Sequence, residues 1–151
     1  MQRRLFVQTV AAAATTSALP LLAQTATPRI EVWKDPSCGC CKDWIAHMRS
    51  GGFSVTTHDS GNTAARARLG LPQKLGSCHT ALVGGYVVEG HVPASDVKRL
   101  LKERPKALGL AVPGMPVGSP GMDGPEYGGR KDRYDVLLVQ ADGSTRTFSR
   151  Y

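Results

Sequence analysis

From Arg29 onward, apolar and polar residues change places in short runs punctuated by glycine and proline. In Arg29–Lys34 (RIEVWK) the apolar side chains fall on every second position, the period of a strand with one buried face. Pro36 stops that run. Lys42 to Ser50 carries Trp44, Ile45 and Met48 at helical spacing, and Gly51-Gly52 predicts the end of this helix. Phe53 to His58 predicts a second strand. Thr63 to Leu69 (TAARARL) predicts a short helix closed by Gly70 and Pro72. Thr80 to Val83 and Tyr86 to Glu89 flank Gly84-Gly85, which predicts a hairpin. Ser95 to Glu103 (SDVKRLLKE) is a helix pattern that Arg104-Pro105 stops.

Two segments lie beyond this β-α-β-α-β-β-α order. Residues 109 to 129 hold seven glycines and four prolines in 21 residues, with Met115 and Met122 among them. A long loop without secondary structure is uncommon in a compact domain unless it is functional or disordered. Tyr134 to Gln140 and Thr145 to Tyr151 flank Asp142-Gly143, a strong hairpin signal. A chain that resumes an ordered hairpin after the loop predicts a loop folded back onto the domain.

The order also places the segment Asp35 to Trp44 (DPSCGCCKDW) after the first strand and at the start of the first helix. A cysteine loop at that place predicts a thioredoxin-like α/β sandwich, extended by the Gly/Pro/Met loop and a C-terminal β-hairpin.

The first residues follow another logic. Arg3 and Arg4 precede an uncharged run from Leu5 to Ala23, and small residues near Ala23 to Ala26 offer a cleavage site. This is the pattern of an export signal over residues 1–26, and the paired arginines before Leu5-Phe6-Val7 resemble a twin-arginine address. Pro20 and the Ala/Thr-rich composition make the run a poor membrane span, which needs about 20 strongly apolar residues. The expectation is one mature periplasmic domain over 27–151, with no membrane attachment after cleavage. Its 17 basic and 12 acidic residues leave a net charge of +5, against +7 for the whole chain. The basic residues are scattered, with acidic neighbours and few aromatics among them, so no nucleic-acid partner is expected.

Three of the four cysteines, Cys38, Cys40 and Cys41, stand in four consecutive positions, and Cys78 is the fourth. Cys38 and Cys41 alone have the C-x-x-C spacing of a dithiol redox site. Two disulfides are the plain alternative in an oxidising compartment, although adjacent Cys40 and Cys41 can form only a strained bridge. A tetrahedral zinc site usually uses two separated pairs rather than three plus one. A C-x-C-C triplet suits thiolates that bridge several metal ions. Met115 and Met122 are poor zinc ligands, whereas thiolate together with thioether favours Cu(I).

Together, "DPSCGCC", "GSCHTALV", "EGHVPASDVKRLL" and "GLAVPGMPVGSPGM" resemble the periplasmic copper-resistance CopG family, which is unrelated to the DNA-binding repressors of that name. The resemblance runs from Ile30 to the final hairpin. It implies a thioredoxin-like fold that binds copper through the C-x-C-C motif and a later cysteine, with copper tolerance as its role. By position it implies Cys38, Cys40, Cys41 and Cys78 as thiolate ligands and Met115 and Met122 as thioether ligands. It implies Cu(I), more than one ion, as the bound metal. Copper ions and other periplasmic copper-handling proteins are the implied partners.

Of the histidines, His79 adjoins Cys78 and is the best candidate nitrogen ligand, although strand alternation would point it away from Cys78. His91, before the last core helix, is a second candidate, as a ligand neighbour or a cap. His47 is placed near the site edge and His58 on the surface. No Ser-His-Asp order, carboxylate pair or phosphate loop stands out. Three functions follow: copper binding for detoxification, a thiol or copper oxidoreductase, and an interaction module stapled by zinc or disulfides. The sequence does not separate copper storage from redox turnover.

Overall fold

The computed structural model describes residues 27–151; the expected export signal at 1–26 lies outside the described residues. In chain order the elements are β1 (Arg29–Lys34), α1 (Gly39–Ser50), β2 (Ser54–His58), α2 (Thr63–Arg68), β3 (His79–Val83), β4 (Tyr86–Glu89), α3 (Ala94–Glu103), β5 (Gly109–Ala111), β6 (Asp135–Val139) and β7 (Thr145–Arg150). Short 3-10 turns occur at Gln73–Leu75 and Pro125–Tyr127. The fold is mixed α/β, and the predicted order of its first seven elements is observed.

All seven strands join one sheet in the order β2-β1-β3-β4-β5-β6-β7. β1 runs parallel to β2 and antiparallel to β3, and β3 forms the predicted hairpin with β4. The C-terminal hairpin is not an appendage. β5 pairs parallel with β4 and antiparallel with β6, so it stitches the hairpin to the core. This corrects the expectation of an unstructured loop from residue 109. Three residues rich in small side chains are too few for a periodic signal, and the strand exists because two neighbours supply its hydrogen bonds.

Strand alternation sorts the buried residues onto two faces. On one face, Ile30, Val32, Ala81, Val83, Val88, Leu110 and Leu138 pack against Trp44, Ile45 and Met48 of α1 and Val97 and Leu100 of α3. On the other, Val87, Ala111 and Val139 pack with Leu71 and Leu75, which follow α2. The edge strands β2 and β7 are largely exposed, and charged Arg146 and Arg150 on β7 discourage further pairing. No helix among the described residues is long and apolar enough to cross a membrane.

α1 begins at Gly39, three residues before the expected Lys42. The earlier start has a local cause. Asp35 accepts hydrogen bonds from the Ser37 amide (2.9 Å) and hydroxyl (2.5 Å), and the Cys38 amide donates to the Asp35 carbonyl (3.1 Å). This turn delivers the chain at Cys38 in helix-entry geometry, with Cys40 and Cys41 already in the first turn.

Candidate metal centre

The sulfurs of Cys38, Cys40, Cys41 and Cys78 converge, all within 4.8 Å of one another. Cys38 and Cys41 are joined as a disulfide, while Cys40 and Cys78 are free thiols. Cys40 Sγ lies 3.6 Å from Cys38 Sγ and 3.8 Å from Cys78 Sγ. Helical rotation separates the adjacent residues: Cys41 turns into the core, where it is fully buried, and Cys40 turns towards Cys78. The unpaired amides at the start of α1 face the same region, and the helix dipole favours thiolates there.

Cys78 brings two imidazoles with it. Its sulfur lies 3.1 Å from His91 Nε2 and 3.4 Å from His79 Nδ1, so Cys78, His79 and His91 form a second potential ligand group sharing one sulfur with the first. The expectation that His79 points away from Cys78 is therefore corrected. His79 has the same strand parity as Ala81 and Val83, which directs its ring towards α1, 4.3 Å from the Trp44 ring. Cys78 precedes the strand and is not bound by its alternation. Trp44 is in turn fixed by its indole N–H, which donates to the Val92 carbonyl at 2.9 Å.

His91 is oriented from behind. Its Nδ1–H donates to the Pro120 carbonyl at 2.8 Å, which leaves Nε2 with its lone pair towards Cys78. Burial holds both imidazoles below their ordinary pKa, for His79 reinforced by the neighbouring His91, so both rings are neutral and able to ligate. Nε2 of His79 is buried and has no hydrogen-bond partner among the described residues. Burial, and then the charge of Cys40, push the Cys78 thiol up to about 12. Without a cation the Cys78 sulfur keeps its proton and donates it to His91.

The Gly/Pro/Met loop folds back as expected, and it braces itself as well. Gly118 donates to the Met122 carbonyl (2.7 Å), Met122 to the Ser119 carbonyl (2.8 Å), and Asp132 to the Val117 carbonyl (2.8 Å). Gly121, at φ +85°, lies flat on the first turn of α1; a Cβ there would stand 2.6 Å from the Cys40 carbonyl and 2.7 Å from the Trp44 nitrogen. Only glycine permits both that backbone and that approach.

The two methionines differ. Met122 is buried, and its sulfur accepts a hydrogen bond from the Tyr127 hydroxyl at 3.3 Å. Met115 is 53% exposed. Neither sulfur stands in the two ligand groups formed by the cysteines and histidines. His47 is not at the site edge: its Nε2 accepts the Ala94 amide hydrogen (3.0 Å) and so caps α3. His58 stacks on Trp33 near the surface, as expected.

Sequence reasoning missed Trp44 as the platform beneath His79 and Gly121 as the loop's point of approach. It also missed a buried polar network behind Cys78. In that network Glu89, fully buried, accepts from Arg66 Nε (2.9 Å), from the Thr80 hydroxyl (2.6 Å) and from the Ser77 amide (2.6 Å). The available signal was Glu89 closing an otherwise apolar strand.

Comparison with known proteins adds a lineage to this geometry. Residues 75–122 match a family described as a protein of unknown function, DUF411. No curated protein matches the chain. A solved structure named copper resistance protein CopG, form 2, is 47% identical, with 82% of this chain and 98% of that chain covered and a TM-score of 0.76. Form 1 of the same name is 48% identical, with 82% and 96% covered and a TM-score of 0.75. The chain thus belongs to the CopG copper-resistance family.

Proposed function

We propose that this chain is a periplasmic copper-binding protein of copper resistance, holding Cu(I) in a thiolate-rich site of more than one ion. The observation that carries the reading is the convergence of four cysteine sulfurs, with two neutral imidazoles sharing the Cys78 corner. The neighbours named for copper resistance support it. So does donor chemistry, because soft sulfur with imidazole suits copper. The order β2-β1-β3-β4, with parallel β1 and β2 and an antiparallel β3–β4 pair, supports a thioredoxin-like core on which β5 to β7 are an extension. The export pattern at 1–26 supports the periplasm.

The chain's own groups prepare the cargo's place. Reduction of the Cys38–Cys41 disulfide by two electrons and two protons yields the two further thiols that complete a four-thiol set. Loading then expels the thiol protons, including that of Cys78, so uptake releases acid and weakens as pH falls. Met122 and Gly121 lie on the loop that covers the first turn of α1 and limits access by water and oxidants. Elemental analysis and X-ray absorption of reduced, copper-loaded protein should show more than one copper per chain, sulfur-dominated scattering and short copper–copper vectors. A single zinc with no copper uptake refutes the reading.

The Cys38–Cys41 disulfide favours a second reading, a thiol or copper oxidoreductase. Cys40→Ser separates the two. A cluster loses copper stoichiometry in this variant, whereas a dithiol switch keeps both its copper loading and its Cys38/Cys41 redox cycle.

A further inference from the structure

Every hydrogen-bonding group of the Ser77 backbone is gripped by the network behind the site. Its amide donates to Glu89 Oε1 (2.6 Å), and its carbonyl accepts from Arg66 Nη2 (2.6 Å) and Asn62 Nδ2 (3.1 Å). Arg66 and Glu89 are themselves an ion pair, Nη2 to Oε1 at 2.7 Å, with both side chains buried. Ser77 is also wedged sideways, since a Cβ on Gly90 would stand 2.6 Å from the Ser77 side chain. The next residue is Cys78. The Ser77 hydroxyl donates to the Gly114 carbonyl, where the Gly/Pro/Met loop begins, and the Gly114 amide donates to Gly76 (3.1 Å).

We propose that Arg66 and Glu89 are positioning residues for the metal centre: the pair clamps both backbone groups of Ser77, fixing the Cys78 sulfur and the near end of the loop that covers it. This rests on the reading of the four sulfurs as a metal site. The alternative role for such a pair is stability alone, and it explains the arrangement less well. A buried ion pair adds little net stability over apolar residues of similar volume. Here the pair's remaining hydrogen-bonding capacity converges on one residue, with Thr80 and Gln73 taking the rest. Burial pushes the Glu89 carboxyl up, and hydrogen bonds from Thr80, Arg66 and Ser77 oppose that push. Cys38, Cys40 and Cys41 need no such device, because α1 carries them. The fourth sulfur stands between a 3-10 turn and a strand and has no element of its own.

The test compares parent, Arg66→Met/Glu89→Leu and Arg66→Lys, each as the full mature chain. The double variant replaces the pair by apolar groups, so its unfolding midpoint should stay near the parent's. Arg66→Lys keeps the charge opposite Glu89 but loses the planar fork that reaches the Ser77 carbonyl. In reduced, metal-free protein, iodoacetamide should alkylate Cys78 about ten-fold faster in the double variant, and several-fold faster in Arg66→Lys, with Cys40 unchanged. After Cu(I) loading, competition with a Cu(I) chelator should show roughly 10- to 100-fold weaker retention in the double variant, the usual cost of losing outer-shell support. A folded double variant with parent-like Cys78 reactivity and copper retention overturns the proposal. If the double variant does not fold, parent-like values in Arg66→Lys overturn it. A parent chain that takes up no Cu(I) defeats the metal reading instead, while the alkylation rates still decide the positioning role.

Discussion

Cys38, Cys40 and Cys41 sit within four consecutive residues at one helix start, whereas Cys78, His79 and His91 come from the end of a loop, the first residue of β3 and the turn after β4. The first group owes its shape to local structure: an Asp35 turn, the entry into α1 and the rotation of successive helical residues. The second owes its shape to packing, with Trp44 under His79, the Pro120 carbonyl behind His91 and Glu89 holding Ser77. A site built half from local geometry and half from tertiary contacts should fail in two distinguishable ways. Damage to the fold should detach the Cys78 side first, while the helix start keeps three sulfurs together.

The largest effect is expected at the point the two sides share. Trp44 is fully buried between α1 and the sheet, and it supports His79 directly. Trp44→Ala removes a large aromatic side chain and leaves the Val92 carbonyl without its donor. It should cost about 3–5 kcal/mol of stability, read from chemical denaturation of the metal-free protein. A loss under about 1 kcal/mol would mean that the two sides do not share this support.

The comparison also explains what the sequence made legible. Periodicity and turn residues revealed the order of the first seven elements, because each has its own apolar face and its own stop signal. The three clustered cysteines were legible for the same reason: their proximity is covalent. β5 was not, since its pairing partners lie 20 or more residues away along the chain, at Val87–Glu89 and Leu137–Val139. His79 was misdirected because alternation was applied across the strand boundary at Cys78. His47 was drawn to the site by helix position, when its imidazole is in fact a cap for α3.

Acid should weaken the packed side next. Burial lowers the pKa of His47, with Asp123 opposing, and also lowers that of His79 and His91. A histidine whose pKa is depressed by folding binds its proton better in the unfolded chain. The stability it confers is fully present above the ordinary value near 6.5 and is lost as pH falls below it towards the folded-state value. Each such proton contributes at most about 1.4 kcal/mol per pH unit. The metal-free protein should therefore lose stability between about pH 6.5 and 5. His47→Gln should flatten that slope by up to one proton's worth while leaving the cysteine side unaltered. A pH-independent unfolding midpoint across that window would contradict the neutral, buried state of these rings.

A narrower cut separates the loop from the rest of the packed side. His91→Ala removes both the imidazole facing Cys78 and the hydrogen bond to Pro120. Copper retention should fall roughly 10-fold, the low end for losing an oriented ligand or its support. Amide exchange should quicken across residues 116–123 while the β6–β7 hairpin stays protected. Unchanged exchange in the loop would show that its own hydrogen bonds hold it without His91.

The smallest effect, and the sharpest, is expected from the methionines. Both were expected as thioether ligands, yet they occupy unlike environments: Met122 is buried under the Tyr127 hydroxyl, and Met115 is largely exposed. Leucine keeps most of the apolar bulk and removes the sulfur, so it distinguishes coordination from packing. Met122→Leu should lose the weak bond from Tyr127 and cost under about 1.5 kcal/mol, the usual limit for a volume-conserving swap. Met115→Leu should leave stability unchanged, because its side chain has little packing to lose. Copper lifetime against a chelator and against air then decides each residue's role separately. If Met115 ligates, the loop must carry it inward from its exposed position when copper binds, and Met115→Leu will shorten copper lifetime without touching the metal-free protein. If only Met122→Leu does so, the covering loop contributes one sulfur at most. Parent-like copper lifetime in both variants would leave the cysteines and histidines as the whole ligand set and reduce the methionines to packing and surface.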